Sequence, residues 1–181
     1  RRVAVILATE GTSICEADRI SVLQSGSRWA KLVSVTGVLE PDHRSDSVRA
    51  LVRLVRSLRN SGVILDSWTS VESLTDATHQ DGTSYTPAVC TTVTDYLEES
   101  GALRVRLLPM TPSESNSDDW SDAFGAIVFE QYQQSPSASH AQVQLQQDFI
   151  PELVQVGNLA LHNALFVESR TLPGRTKALG R

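Results

Sequence analysis

Lysine is almost missing from this chain of 181 residues: fourteen of its sixteen basic residues are arginine, and only Lys31 and Lys177 are lysine. Coding bias accounts for most of that imbalance, although arginine's planar fork also suits buried or interfacial ion pairs. Basic residues are outnumbered by 21 Asp and Glu, leaving a net charge of −5. The molecule as a whole therefore repels phosphate backbones and anionic lipid, and a nucleic-acid role is not expected without a local basic patch. Cysteine is scarce too. Cys15 and Cys90 lie 75 positions apart, which excludes zinc-finger and CxxC patterns and leaves one long-range bridge as the only pair. Free buried thiols are the expected state, leaning toward a reducing compartment. Apolar runs such as Val3 to Ala8 fall far short of a membrane span. There is no signal-peptide pattern, and a start at Arg1 rather than Met reads as a processed product or an excised piece.

Chemistry-bearing motifs are equally thin. There is no GxSxG, and His43, His79, His140 and His162 stand alone without ligand spacing such as HxxxH. Thr9-Glu-Gly-Thr-Ser13 has one glycine and no lysine, so a phosphate-cradling loop is not specified. No cofactor and no metal site are expected.

What the chain does contain is SVRALVRLVRSLRNSG, Ser47 to Gly62. At about 100° per residue, Val48, Ala50, Leu51, Leu54, Val55 and Leu58 fall in one arc, and Arg49, Arg53 and Arg56 oppose them. This is an amphipathic helix near 46–60, opened by Ser45-Asp46-Ser47 and stopped by Asn60-Ser61-Gly62. A second helix is predicted near 87–100, with Pro87 at its first position and Gly101 after its end.

Elsewhere the pattern is β-prone. Arg2 to Thr9 reads as a strand buried on both faces. Residues 13–24 admit either a helix or a strand. The hairpin is preferred: Arg19 to Gln24 and Arg28 to Leu39, joined across Ser25-Gly26. Further strands are predicted at Val63 to Trp68, Ala102 to Leu108, Ala126 to Tyr132 and Ala141 to Gln146. Leu153 to Val156 and Leu159 to His162 form a second hairpin about Gly157-Asn158, with a helix over 151–167 as its alternative. Polar loops fill 69–86, 109–122 and 133–140. The expected fold is α+β and β-rich, with about eight to ten short strands in a sandwich or jelly roll and two helices. A doubly wound α/β sheet is the alternative. Residues 1–169 are assigned to one domain and 170–181 to an arm-like tail.

Under the α/β alternative, Glu10, Asp42, His43 and Asp66 would lie past strand carboxyl ends. Glu10, His43 and Asp66 are then the candidates for an acid/base or ligand site. Arg49, Arg53, Arg56 and Arg59 are the candidate binding face for a protein partner. The segment from Lys31 to Trp68, with its leucine-rich helix running into VxLDxW, resembles the first strand, helix and second strand of SEFIR and TIR signalling domains. That resemblance covers about a fifth of the chain and implies a homotypic adaptor interaction. With no convergent catalytic set, the leading functional expectation is a non-enzymatic assembly protein acting through other subunits, in one concrete form a viral coat subunit. A small α/β enzyme or ligand-binding domain is the second expectation.

Overall fold

The apolar run at the N-terminus is a helix rather than a strand. In the computed structural model, helix α1 spans Arg2–Cys15. Its β-branched residues suggest a strand, but Ala4, Leu7, Ala8 and Gly11 are buried at helical spacing while Ile6 is exposed. Small side chains on that stripe let α1 lie close on the sheet. Thr36 fastens it there, its hydroxyl donating to the Ala8 carbonyl at 2.5 Å and accepting from Ile20 N at 2.8 Å. The structure describes residues 2–15, 17–25, 30–38, 40–75, 85–112, 120–132, 155–157 and 159–160.

Strands β1 (Arg19–Gln24) and β2 (Lys31–Val35) pair antiparallel as the preferred hairpin requires. Helix α2 (Asp46–Asn60) and, further on, helix α4 (Pro87–Ser100) form where the two helices are predicted. The side chain of Ser45 accepts from Val48 N at the start of α2, and Thr86 accepts from Val89 N at the start of α4. Gly101 ends α4 in the left-handed region, φ 72°, a conformation that favours glycine. Strand β3 (Leu65–Thr69) and the short helix α3 (Val71–Thr75) lie between them, and β4 (Arg104–Met110) and β5 (Gly125–Gln131) follow.

These five strands make one sheet in the order β2-β1-β5-β4-β3, antiparallel throughout. This overturns the sandwich or jelly roll of eight to ten strands. Three predicted strands meet helix: Arg2 to Thr9 lies in α1, and the described residues 155–157 and 159–160, where the two strands of the second hairpin are expected, are helical as in its alternative. Short apolar stretches carry too few residues to separate period two from period 3.6. The doubly wound alternative fails as well, because β2 and β3 sit at opposite edges of an antiparallel sheet and form no parallel unit. The same placement separates the two strands of the SEFIR- and TIR-like segment. The strand at 141–146, the loop at 133–140 and the tail at 170–181 lie outside the described residues, as do the middle parts of the 69–86 and 109–122 loops.

A layer of helix covers each sheet face. Leu23, Leu32, Val105, Leu107, Ala126 and Val128 face α2 and α4, meeting Leu54, Val55, Leu58, Val89 and Val93. Fully burying one such Val or Leu side chain contributes about 1.5–3 kcal/mol. Ile20, Val22, Met110, Ile127 and Phe129 face α1. The helical residues near 157 share that side, since a Cβ on Gly157 would stand 2.8 Å from Leu7 Cδ1. Central strand β5 is buried along its whole length.

Gly125 opens β5 where a Cβ would collide with the backbone oxygen of Leu23 and with Met110 Cε. Methionine can move and the strand cannot. Gly125→Ala is therefore expected to cost about 3 kcal/mol, the upper end for overpacking, read as a lower urea midpoint with an unchanged slope.

Candidate functional site

Period two along β5 turns Ala126, Val128 and Glu130 toward α2 and α4, so an acid is carried into an otherwise apolar face. Glu130 is 0% exposed. Directly across the β1–β5 ladder stands Arg19, whose guanidinium grips the carboxylate bidentately: Nε donates to Oε2 at 2.5 Å and Nη2 donates to Oε1. Tyr96, on the buried stripe of α4, donates its hydroxyl to the same Oε1 at 2.7 Å, and the Tyr132 hydroxyl donates at 3.0 Å. Arg19 also lies over the Tyr132 ring, 5.1 Å from its centroid. Two backbone amides complete the corner. Asp18 N donates to the Glu130 carbonyl at 2.9 Å, and Tyr132 N donates to Asp18 Oδ2 at 2.6 Å.

The electrostatics follow from burial and this one carboxylate. Burial works against the Arg19 charge, but the Glu130 hydrogen bond and charge outweigh it and hold the guanidinium above its ordinary value. Burial, then the Glu130 charge, pushes the Tyr96 phenol well up, and the same two causes raise Tyr132. Tyr85 is raised by burial and by the Asp66 charge.

Beside this corner, α2 and α4 part to leave a cleft of about 480 Å³. Ala50, Leu54 and Tyr96 line its depth. The Arg53–Glu99 ion pair, with Nη2 and Oε2 2.6 Å apart, bridges the helices toward one end. The Ser57 and Thr92 hydroxyls meet at 3.2 Å toward the other. Asp95 adds a carboxylate to the α4 wall.

Of the residues singled out from the sequence, Arg53 lines the cleft and the others lie elsewhere. Glu10 is exposed on α1, where Thr9 to Ser13 is helix and not a loop. His43 is exposed in the turn before α2, and neighbouring Asp42 accepts from Arg44 N at 2.9 Å. Asp66 is exposed on edge strand β3. Glu10, His43 and Asp66 thus belong to three separate elements, and no hydrogen bond or ion pair joins any two of them. Among the α2 arginines, Arg49 bonds the Arg44 carbonyl and pairs with Asp46, Arg53 holds Glu99, Arg56 is exposed, and Arg59 is half-buried. Cys90 is a free, half-buried thiol. Among the described residues no group of three or more His, Cys, Asp or Glu comes together to hold a metal ion, and no helix is long and apolar enough to cross a membrane. Arg19, Tyr96, Glu130 and Tyr132 escaped the sequence reading. The available signal was the single acid in AIVFEQY at a period-two position shared with Ala126 and Val128.

No family model matches the chain, and no curated protein matches it. Solved structures do. A domain of a protein described as a two-component sensor histidine kinase, from Sinorhizobium meliloti 1021, superposes with a TM-score of 0.53 at 9% identity, covering 95% of this chain and 96% of that one. The photoproduct state of a GAF3 domain from Synechocystis sp. PCC6803 gives 0.51 at 12% identity, covering 94% and 98%. A red/green cyanobacteriochrome in its green light-absorbing state gives 0.50 at 14% identity, covering 93% and 99%. The fold is GAF-like. The viral coat expectation is corrected with it: the chain has neither jelly roll nor sandwich, and its neighbours are sensor domains.

Removing one partner of a buried pair strands the other charge. Arg19→Met is expected to lower stability by about 3–5 kcal/mol, whereas Arg19→Met with Glu130→Leu recovers most of the loss. Chemical denaturation of the two variants checks this.

All three tyrosines of the chain are raised. For a phenol raised on folding, the unfolded chain loses its proton first. Stability is then full below the unfolded value of about 10 and falls as pH rises above it. In Tyr85→Phe, where Tyr96 and Tyr132 are the remaining tyrosines, near-ultraviolet tyrosinate absorbance should show no ionisation step in the native protein near pH 10. The phenols should titrate later, together with loss of the circular dichroism signal. A reversible native step near pH 10 would contradict the burial of the site.

Proposed function

We propose that the chain is a ligand-sensing signalling domain, which takes a small molecule in the cleft between α2 and α4 and passes the event to neighbouring chain or protein. The observation that carries this reading is the likeness in fold, over more than nine tenths of each chain, to a domain of a sensor histidine kinase and to a light-sensing GAF domain. At 9% and 12% identity the likeness speaks for the fold, so the ligand has to be argued from this chain's own residues. The cleft, at about 480 Å³, lies within the size range of small-molecule sites, and it combines an apolar depth with a few polar groups on its walls. Its opposite charges, Arg53 against Asp95 and Glu99, favour a ligand with polar groups of its own. Among the described residues the sheet face beneath is filled by Leu23, Leu32, Leu107 and Val128, and the space between the helices is open to such a molecule.

Thermal unfolding against a panel of nucleotides, amino acids, aromatic acids and pigments tests the proposal. A ligand at about one hundred times its Kd should stabilise the folded state by about 2.7 kcal/mol, seen as a rise in Tm. Thr92→Phe, which fills the cleft from a half-buried wall position, should remove that rise while leaving the unliganded Tm within a few degrees. A panel that leaves the Tm unmoved, or a rise that survives Thr92→Phe, counts against the reading.

A further inference from the structure

Among the described residues, Tyr96 alone both lines the cleft and touches the buried carboxylate. Its ring sits in the core between α2, α4 and the sheet, and its hydroxyl reaches Glu130 Oε1 at 2.7 Å. Glu130 occupies the corner where the chain enters and leaves the sheet. Asp18 and Arg19 stand between α1 and the body of β1, and Glu130 and Tyr132 stand at the end of β5. Resting on the ligand-sensing reading, we propose that Tyr96 is a positioning residue that transmits the state of the α2–α4 cleft to this corner, and through it to α1 and to the end of β5.

The geometry leaves the corner few ways to absorb a shift of α4 privately. If the cleft widens, Tyr96 moves with its helix and either loses its bond to Glu130 or draws the carboxylate with it. Glu130 holds Arg19 by two parallel hydrogen bonds, so it does not move without the guanidinium. Arg19 covers the ring of Tyr132, whose amide is held by Asp18. The steps from Tyr96 through Glu130 and Arg19 to Tyr132 are contacts between buried or half-buried groups, and the last one, from the Tyr132 amide to the Asp18 carboxylate, lies at the exposed edge of the corner. Contiguity alone does not establish coupling; a demonstrated dependence between two perturbations does.

A double-mutant cycle supplies it without any ligand. Arg53→Met opens the cleft rim at an exposed pair, and Tyr96→Phe keeps the ring but deletes the hydroxyl. Native-state hydrogen exchange is read at the amides of Asp18 and Tyr132, which donate to Glu130 O and Asp18 Oδ2, and urea unfolding of all four proteins corrects for global stability. With Tyr96 present, Arg53→Met should speed both amides by roughly two- to tenfold. In the Tyr96→Phe background the same substitution should leave them unchanged, while amides of α2 respond alike in both. Should either variant exchange only by global unfolding, the amide chemical shifts of Asp18 and Tyr132 close the same cycle without unfolding. Equal effects in both backgrounds, or no effect at the two amides, would overturn the proposal. A failed cycle leaves a ligand-induced rise in Tm intact, and a silent ligand panel leaves the cycle intact, so the two readings fall separately.

Discussion

A carboxylate with no exposure to water constrains this molecule more than any other group. Taking Glu130 out of solvent costs several kcal/mol, and that cost is offset only while Arg19 and the two phenols hold their positions. The requirement fixes the register of β1 against β5, because a slip of one residue would turn Glu130 toward α1 and set it against Ile20, Val22 and Met110 with no partner. It also fixes the rotation of α4. Apolar packing alone tolerates some sliding of a helix on a sheet, whereas a hydroxyl that must meet one carboxylate oxygen tolerates little. The pair adds specificity of arrangement more than net stability.

The two faces of the sheet are built on different principles. Toward α2 and α4 the core is made of large side chains that fill volume, and the fully buried leucines of α2 leave its arginines outward. Toward α1 the contact depends on small residues, Ala4, Ala8 and Gly11, which bring the helix backbone close enough for Thr36 to reach the Ala8 carbonyl. Gly157 repeats the device against Leu7. The Glu130 corner joins the two faces, since α1 runs into Asp18 and Arg19, and α4 supplies Tyr96.

Legibility in the sequence followed the length of the periodic signal. Helix α2 could be read to its ends because fifteen residues carry a continuous apolar arc between a Ser cap and a Gly stop, and α4 because Pro87 and Gly101 bracket it. Strand β1 emerged because its residues have no consistent dry face as a helix. Helix α1 was hidden by Val3, Val5 and Ile6, whose β-branching imitates a buried strand while the true signal lies in Ala4, Ala8 and Gly11, residues too small to mark a face. The corner was beyond reach for another reason. Arg19 and Glu130 are separated by 111 positions, and only the sheet order, with β5 inserted between β1 and β4, makes them neighbours. Glu10, His43 and Asp66 looked convergent because a parallel sheet gathers the ends of its strands at one edge. An antiparallel sheet sends alternate ends to opposite edges.

The polar contacts around α4 differ in stiffness, and that difference gives the proposed signalling route its direction. The Arg53–Glu99 pair is exposed on both sides, so breaking it costs about 0.2–1 kcal/mol. The Ser57 and Thr92 hydroxyls are half-buried neutral partners, whose exchange for water is similarly cheap. Between those two contacts along α4, Tyr96 ties the same helix to a buried charge, where a broken contact costs far more. In the proposed reading, a molecule entering the cleft spreads the helices at the rim against little opposition, and the strain collects where α4 cannot yield. A uniformly soft interface would dissipate such a displacement locally, and a uniformly rigid one would refuse the ligand. Soft rim and hard corner on one helix, joined by the ring of Tyr96, are the physical conditions under which a small binding event reaches the strand ends.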